Sequence, residues 1–175
     1  FVTFGNQEGI KCGTVSVLFE DSHDALWIGS TDSGLGRWQN NQFTNFTMSD
    51  GLPTNAITAL AEDNYGRLWI GTAAGLAWWQ NGHQQVSLAA ESFKGQNITA
   101  LFKDRRGRMW VGVKGAGVFE FTNGLMVPLA GDSPAELLKN PHCLLVDHTG
   151  RLWIGAGDES VLCHDEDNWH HYRIP

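Results

Sequence analysis

Five of the seven histidines, His142, His148, His164, His170 and His171, fall near the C-terminal end with Cys143 and Cys163. Such a cluster invites a metal, because zinc draws its four ligands from these residue types. The segments around them read as strands, however, and neighbouring strand residues point to opposite faces. Cys163 and His164 therefore cannot share an ion, nor can His170 and His171. Cys143 and Cys163 lie on strands with a third strand between them, about 9 to 10 Å apart, too far for an easy disulfide. With Cys12 the cysteines are an odd number at no metal-like spacing, and free, partly buried thiols are expected. Asp158 and Glu159 raise a second chemistry, the glycosidase carboxylate pair. That pair must face each other across a sugar bond, which adjacent residues on one loop do not do. No catalytic residue, metal or cofactor is called for.

Tryptophan could stack on sugars or bases, and four of the eight recur at one place in a repeated phrase. The phrase is Leu26-Trp27-Ile28-Gly29-Ser30, then Arg67-Leu68-Trp69-Ile70-Gly71-Thr72, Arg108-Met109-Trp110-Val111-Gly112-Val113 and Arg151-Leu152-Trp153-Ile154-Gly155-Ala156. The intervals between the tryptophans are 42, 41 and 43 residues. A fixed period in this range marks a repeat architecture, whose units bury their apolar faces only by stacking on one another. Trp27, Trp69, Trp110 and Trp153, with Gly29, Gly71, Gly112 and Gly155, are accordingly read as repeat core, the indoles wedged between adjacent units. Trp78 differs, because it aligns with Arg37, Glu120 and Cys163. A position that accepts charge elsewhere is expected to be partly exposed, so Trp78 is a candidate ligand face as well as a cover for a sheet edge.

These residues need elements to position them. Each repeat opens with a short apolar run (Val15 to Phe19, Ile57 to Ala61, Ile98 to Phe102, Pro141 to Val146), strand A. Asp21, Asp63, Asp104 and Asp147 follow, each six residues before its tryptophan. Gly66, Gly107 and Gly150 sit three residues after the aspartate, and Asp24 takes that place in the first repeat. Asp-x-x-Gly between two strand-like runs is a tight hairpin in which the carboxylate accepts backbone N–H groups and the fourth residue tolerates positive φ. Strand B carries the tryptophan. A small-residue turn leads to Gly34-Leu35, Gly75-Leu76, Gly117-Val118 and Ser160-Val161, which open strand C. Strand D carries Phe43 and Phe46, Met126 and Leu129, or Trp169 and Tyr172; in the second repeat it is the weaker run Gln84 to Leu88.

Four short strands per unit with one aromatic motif each describe an all-β fold, a β-propeller with four four-stranded blades of about 42 residues. Glycine density and the lack of a 3.6-residue pattern exclude helical solenoids. The blades span 15–56, 57–97, 98–140 and 141–175. Residues 1–14, with Phe1 and Phe4 spaced like Phe43 and Phe46, read as the outer strand of a preceding blade and its connection. The chain is thus expected to be an arc of a larger propeller, both ends cut from something longer. An isolated arc exposes two apolar blade faces, which favours self-association.

The formal charge of −7 argues against nucleic acid and anionic lipid as partners. No apolar run is long enough to span a bilayer, so no membrane contact by this segment is expected.

Asp-x-x-Gly-Arg-Leu-Trp-Ile-Gly-Thr followed by Gly-Leu, then Asp50-Gly51-Leu52-Pro53-Thr54-Asn55 leading into the next strand A, resembles the two-component regulator propeller repeat. The fourth unit departs from the pattern, with Gly157-Asp158-Glu159-Ser160 in place of the small turn. The resemblance implies a periplasmic sensor module of bacterial hybrid histidine kinases, tied to recognition of glycan fragments, with neighbouring domains of a larger sensor as partners. No kinase motif lies in this chain.

In a propeller the B-to-C and D-to-A loops share the rim around the central channel, where ligands are usually held. Asp32, Lys114, Asp158 and Glu159 on the former loops, and Asn55, Asn97 and Asn140 on the latter, are candidate groups for sugar hydroxyls. His142, on the innermost strand, is a candidate for the channel lining. The leading expectation is a binding module for a small molecule or oligosaccharide. A streptogramin-lyase-like enzyme is the alternative, with His142 and Glu159 as its only His–Glu pair, and a protein-docking scaffold is the third.

Overall fold

A computed structural model describes residues 9, 13–80, 83–88, 93–129, 137–157, 160–165 and 168–173. Cys12, Phe1, Phe4, Asp158 and Glu159 lie outside these. Four antiparallel sheets, each with its strands in chain order, account for nearly all the regular structure. The first holds β1 (Val15–Glu20), β2 (Leu26–Ser30), β3 (Leu35–Gln39) and β4 (Gln42–Phe46). The second holds β5 (Ile57–Glu62), β6 (Arg67–Thr72), β7 (Gly75–Gln80) and β8 (His83–Leu88). The third holds β9 (Ile98–Lys103), β10 (Met109–Val113), β11 (Gly117–Thr122) and β12 (Leu125–Pro128), and the fourth β13 (Pro141–Val146), β14 (Leu152–Ala156), β15 (Ser160–Asp165) and β16 (Asn168–Arg173). The sheets fall into two compact units, one through Asn97 and one from Ile98.

The sheets repeat in register as well as in order. Trp27 pairs across the ladder with Arg37, Trp69 with Trp78, Trp110 with Glu120 and Trp153 with Cys163. The second sheet therefore keeps the common alignment. A bulge at the start of every strand A, as between Val15 and Val17 or Ile57 and Ala59, recurs in all four sheets.

In the first unit Trp27 is fully buried, with Ala25 and Leu35 of its own sheet, against Leu60, Leu68, Ile70, Ala77 and Trp79 of the next. In the second, Trp110 and Val118 meet Leu144, Leu152, Ile154 and Leu162 in the same way. Alternation along each strand supplies these faces, since every second residue points to the same side. The D-to-A connections add an apolar anchor each, Leu52 and Leu138, to these two cores. Two short 3-10 helices, Met48–Asp50 and Leu137–Lys139, lie in these connections and were not expected from the strand pattern. The first has a readable cause: Thr47 and Asp50 form a capping box, and Gly51 ends the turn at φ 99°.

Gly29 decides how closely the first two sheets approach. A Cβ there would fall 2.5 Å from Val17 Cγ1 and 2.8 Å from Ile57 Cγ2, the latter on the next sheet's innermost strand. The equivalent Gly112 is less crowded, with Pro141 Cγ at 3.2 Å. Gly29→Ala is therefore expected to lower stability by about 1–3 kcal/mol through overpacking. Gly112→Ala should cost less; equilibrium denaturation of the two variants checks the order.

Candidate functional site

The aspartate that closes each A-to-B hairpin is a hub. In the second sheet Asp63 Oδ1 accepts the backbone N–H of Tyr65 (2.8 Å) and Arg67 (3.1 Å), while Oδ2 accepts Arg67 Nε (2.6 Å) and the Trp69 indole Nε1 (2.9 Å). Asp104 and Asp147 repeat the arrangement with Arg108 and Trp110, and with Arg151 and Trp153. The fourth turn residue takes positive φ in every sheet: Asp24 at 59°, Gly66 at 71°, Gly107 at 81° and Gly150 at 95°. The first sheet has Ala25 where the others have arginine. Asp21 still accepts Trp27 Nε1 at 2.7 Å, and the cation comes instead from Arg37 on β3, whose guanidinium lies 5.3 Å from the Trp27 ring centre.

Burial alone would raise the pKa of Asp21, Asp63 and Asp104. It is outweighed by hydrogen bonds from the indole, the backbone and, where present, the arginine, so all three carboxyls are held below the ordinary value. In Asp147 the Thr149 hydroxyl and Trp153 are the main causes of a depression in the same direction. Each of these carboxylates is hydrogen-bonded at both oxygens, and they are structural.

Arg67 spreads over three rings, with its guanidinium 5.1 Å from Tyr65, 5.7 Å from Trp69 and 5.5 Å from Trp78. Trp78 is half-buried under it, which uses one of its faces in packing.

The B-to-C turns and the D-to-A connections meet through backbone bonds within each unit. Thr31 N donates to Thr14 O (2.9 Å), Gly34 N to Asn55 O (2.9 Å) and Ala73 N to Ala56 O (3.0 Å). Gly115 N donates to Lys139 O (2.6 Å) and Gly157 N to Asn140 O (3.1 Å). Because the main chain does this work, the side chains of Asp32, Lys114, Asn140 and His142 stay exposed. The Asp32 carboxylate accepts Ser33 Oγ (2.6 Å) and Ser30 Oγ (2.9 Å), which lower its pKa. Two candidate amides behave differently. Asn55 Oδ1 is committed to Met48 N at 2.9 Å, holding the short helix, whereas Asn97 Oδ1 is buried without a hydrogen-bond partner among the described residues. Asp158 and Glu159 lie outside the described residues. His142 packs beside Gly157, where an added Cβ would lie 2.6 Å from its Nε2. Cys143 is exposed and Cys163 buried, both as free thiols, so the expectation of uniformly half-buried cysteines gives way to one of each. No group of three metal-ligating side chains converges among the described residues.

Residues 51–74 and 92–115 match the family model of the two component regulator propeller. No curated protein sequence matches it. Among solved structures, it resembles one described as the extracellular domain of a hybrid two component system of B. thetaiotaomicron, with TM-score 0.80 and 20% identity over 97% of this chain. A virginiamycin B lyase from Staphylococcus aureus gives TM-score 0.75 and 14% identity over 95%. This chain spans 23% of the first and 58% of the second. At such identities the likeness establishes the fold, a β-propeller built of these four-stranded blades.

Sequence reasoning missed the arginine at the start of strand B as a partner of the hub, although its recurrence four residues after the aspartate was a usable signal. It also missed Arg37, whose role depends on a cross-strand pairing that no local pattern shows.

Asp63→Ala would remove the acceptor that the Trp69 indole, Arg67 Nε and two turn N–H groups share, and is expected to cost about 3–5 kcal/mol in denaturant unfolding. Asp32→Ala, on an exposed turn, should cost less than about 0.5 kcal/mol. Because the hub carboxyls are depressed in the folded state, their stabilisation is complete above the unfolded carboxylate pKa of about 3.9. It is lost as pH falls further, through the folded values. Unfolding midpoints measured from pH 7 down to 2 should therefore hold near neutrality and drop steeply below about pH 4.

Proposed function

We propose that this chain forms part of an extracytoplasmic sensor propeller of a two-component signalling protein, and that its rim of B-to-C turns and D-to-A connections holds a small hydroxylated ligand, an oligosaccharide. The observation that carries this reading is the backbone bonding of the rim in the second unit, which leaves Lys114, Asn140 and His142 exposed. Side chains relieved of structural duty on rigid loops are where binding function concentrates. Amide, ammonium and imidazole groups on such loops offer both donors and acceptors to hydroxyls. The extracellular two-component structure supports the sensor role by fold, and the family repeats support it by sequence. Sensing requires only that the ligand favour one of two arrangements of the parent protein. No helix among the described residues is long and apolar enough to cross a membrane.

The lyase structures support a second reading, in which His142 would serve metal-assisted elimination. The exposure of His142 is the feature in its favour.

Titration calorimetry against a panel of neutral oligosaccharides tests the first reading. Saturable binding is expected, weakened at least tenfold by Asn140→Ala or His142→Ala with the folded fraction unchanged. Absence of heat with every sugar would overturn it. Streptogramin B ring opening in the presence of a divalent ion, lost in His142→Ala, would favour the lyase.

A further inference from the structure

Within the second unit a groove of about 260 Å³ opens between the third and fourth sheets, lined by Arg106, Arg108, Trp110, Glu120, His164 and Asp165 among others. It opens where the A-to-B and C-to-D turns lie, at the far end of the strands from Lys114, Asn140 and His142. The repeat explains why it exists. In the first unit the equivalent space is filled by three large side chains. Arg37, the ladder partner of Trp27, lies 5.3 Å from that ring and 4.9 Å from Trp79. Trp79 in turn sits edge-on to Trp27 at 5.0 Å, and Phe46 packs on both indoles.

In the second unit each of these positions carries a smaller residue. Glu120 is the ladder partner of Trp110 and stands where Arg37 stands. His164 pairs with Leu152 as Trp79 pairs with Leu68. Leu129 replaces Phe46 by its place in the repeat. Stability alone would favour the filled version, since unfilled space between packed sheets forfeits dispersion contacts. Here the same fold keeps the space open and lines it with charge.

That charge is of both signs. Glu120 and Asp165 make no hydrogen bond or contact ion pair among the described residues, and Arg151 acts on Asp165 only through its longer-range charge. The Arg106 guanidinium lies against Gly150, 3.6 Å from where its Cβ would be, and likewise has no acceptor there. Arg108 is already engaged by Asp104 at 2.7 Å and by the Trp110 ring at 5.0 Å. A simple anion would answer only Arg106, and a simple cation only the carboxylates. A neutral sugar can hydrogen-bond to these groups but neutralises neither sign, and Trp110, at 3% exposure, has no free face for it. The volume, just under the roughly 300–1,000 Å³ of drug-sized pockets, suits a small molecule.

We infer that this groove binds a compact zwitterion, an α-amino acid whose carboxylate meets Arg106 and whose ammonium meets Glu120 and Asp165. Charge-assisted hydrogen bonds at both ends give the selectivity. The site is separate from the proposed sugar rim, and either can fail without the other.

The test is calorimetric titration of the full chain with L-alanine, L-serine and L-arginine, with acetate, methylammonium and glucose as controls. Saturable binding of at least one amino acid is expected, with none of the controls binding comparably. Glu120→Gln and Arg106→Gln should each weaken it at least tenfold. The double variant Glu120→Arg with His164→Trp copies the plug of the first unit and should abolish binding while thermal unfolding stays cooperative. If that variant does not fold, the near-isosteric Glu120→Gln still decides. No amino acid binding, equal binding of acetate, or unchanged affinity in Glu120→Gln would overturn the proposal.

Discussion

The carboxylate that closes each A-to-B hairpin is the constraint on which the other contacts rest. A largely buried anion is tolerated only if its lone pairs are engaged, and here one oxygen takes the turn's backbone N–H groups while the other takes the indole and, in three sheets, the guanidinium. This couples two levels of structure. The same carboxylate holds the turn through one oxygen and orients the tryptophan through the other. The six-residue interval from Asp to Trp is the three residues that complete the turn and three more that lead to the tryptophan, whose indole folds back to its acceptor.

From this hub the division of labour along a blade follows. The end bearing the A-to-B turns is fixed by side chains: aspartate, arginine and aromatic rings. The opposite end is fixed by main-chain bonds between the turns and the connections. Backbone bonding places few demands on residue type, so that end can change its side chains without losing its frame. Lys114 and Asn140 stay exposed there, whereas Asp32 accepts the serine hydroxyls of its own turn and Asn55 has been drawn into holding its connection. The first blade shows the tolerance of the hub: when alanine replaces the strand B arginine, a guanidinium from β3 supplies the positive charge across the ladder.

The second unit departs from the first in packing. Three side chains that seal the first pair of sheets are each reduced in the second, and a polar groove takes their place. The backbone register is unchanged, so the difference lies wholly in side-chain volume and charge. A fold of stacked equivalents tolerates this because each interface is nearly independent of the next.

The sequence by itself determined the architecture: the period of the tryptophans, the alternation along the runs and the Asp-x-x-Gly turns are local signals, each enforced by chain geometry within a few residues. It also carried the family resemblance and the equivalence of Arg37, Trp78, Glu120 and Cys163, since register follows once turn lengths are known. Only the tertiary structure decided what those equivalent residues do. Arg37 seals an interface and Glu120 lines a groove because each answer depends on which side chains the adjacent sheet brings opposite, across 40 or so residues of chain, while Trp78 lies under Arg67 of the neighbouring strand in its own sheet. Contacts between repeats are set by pairs of distant positions, and no pattern within a single repeat records them.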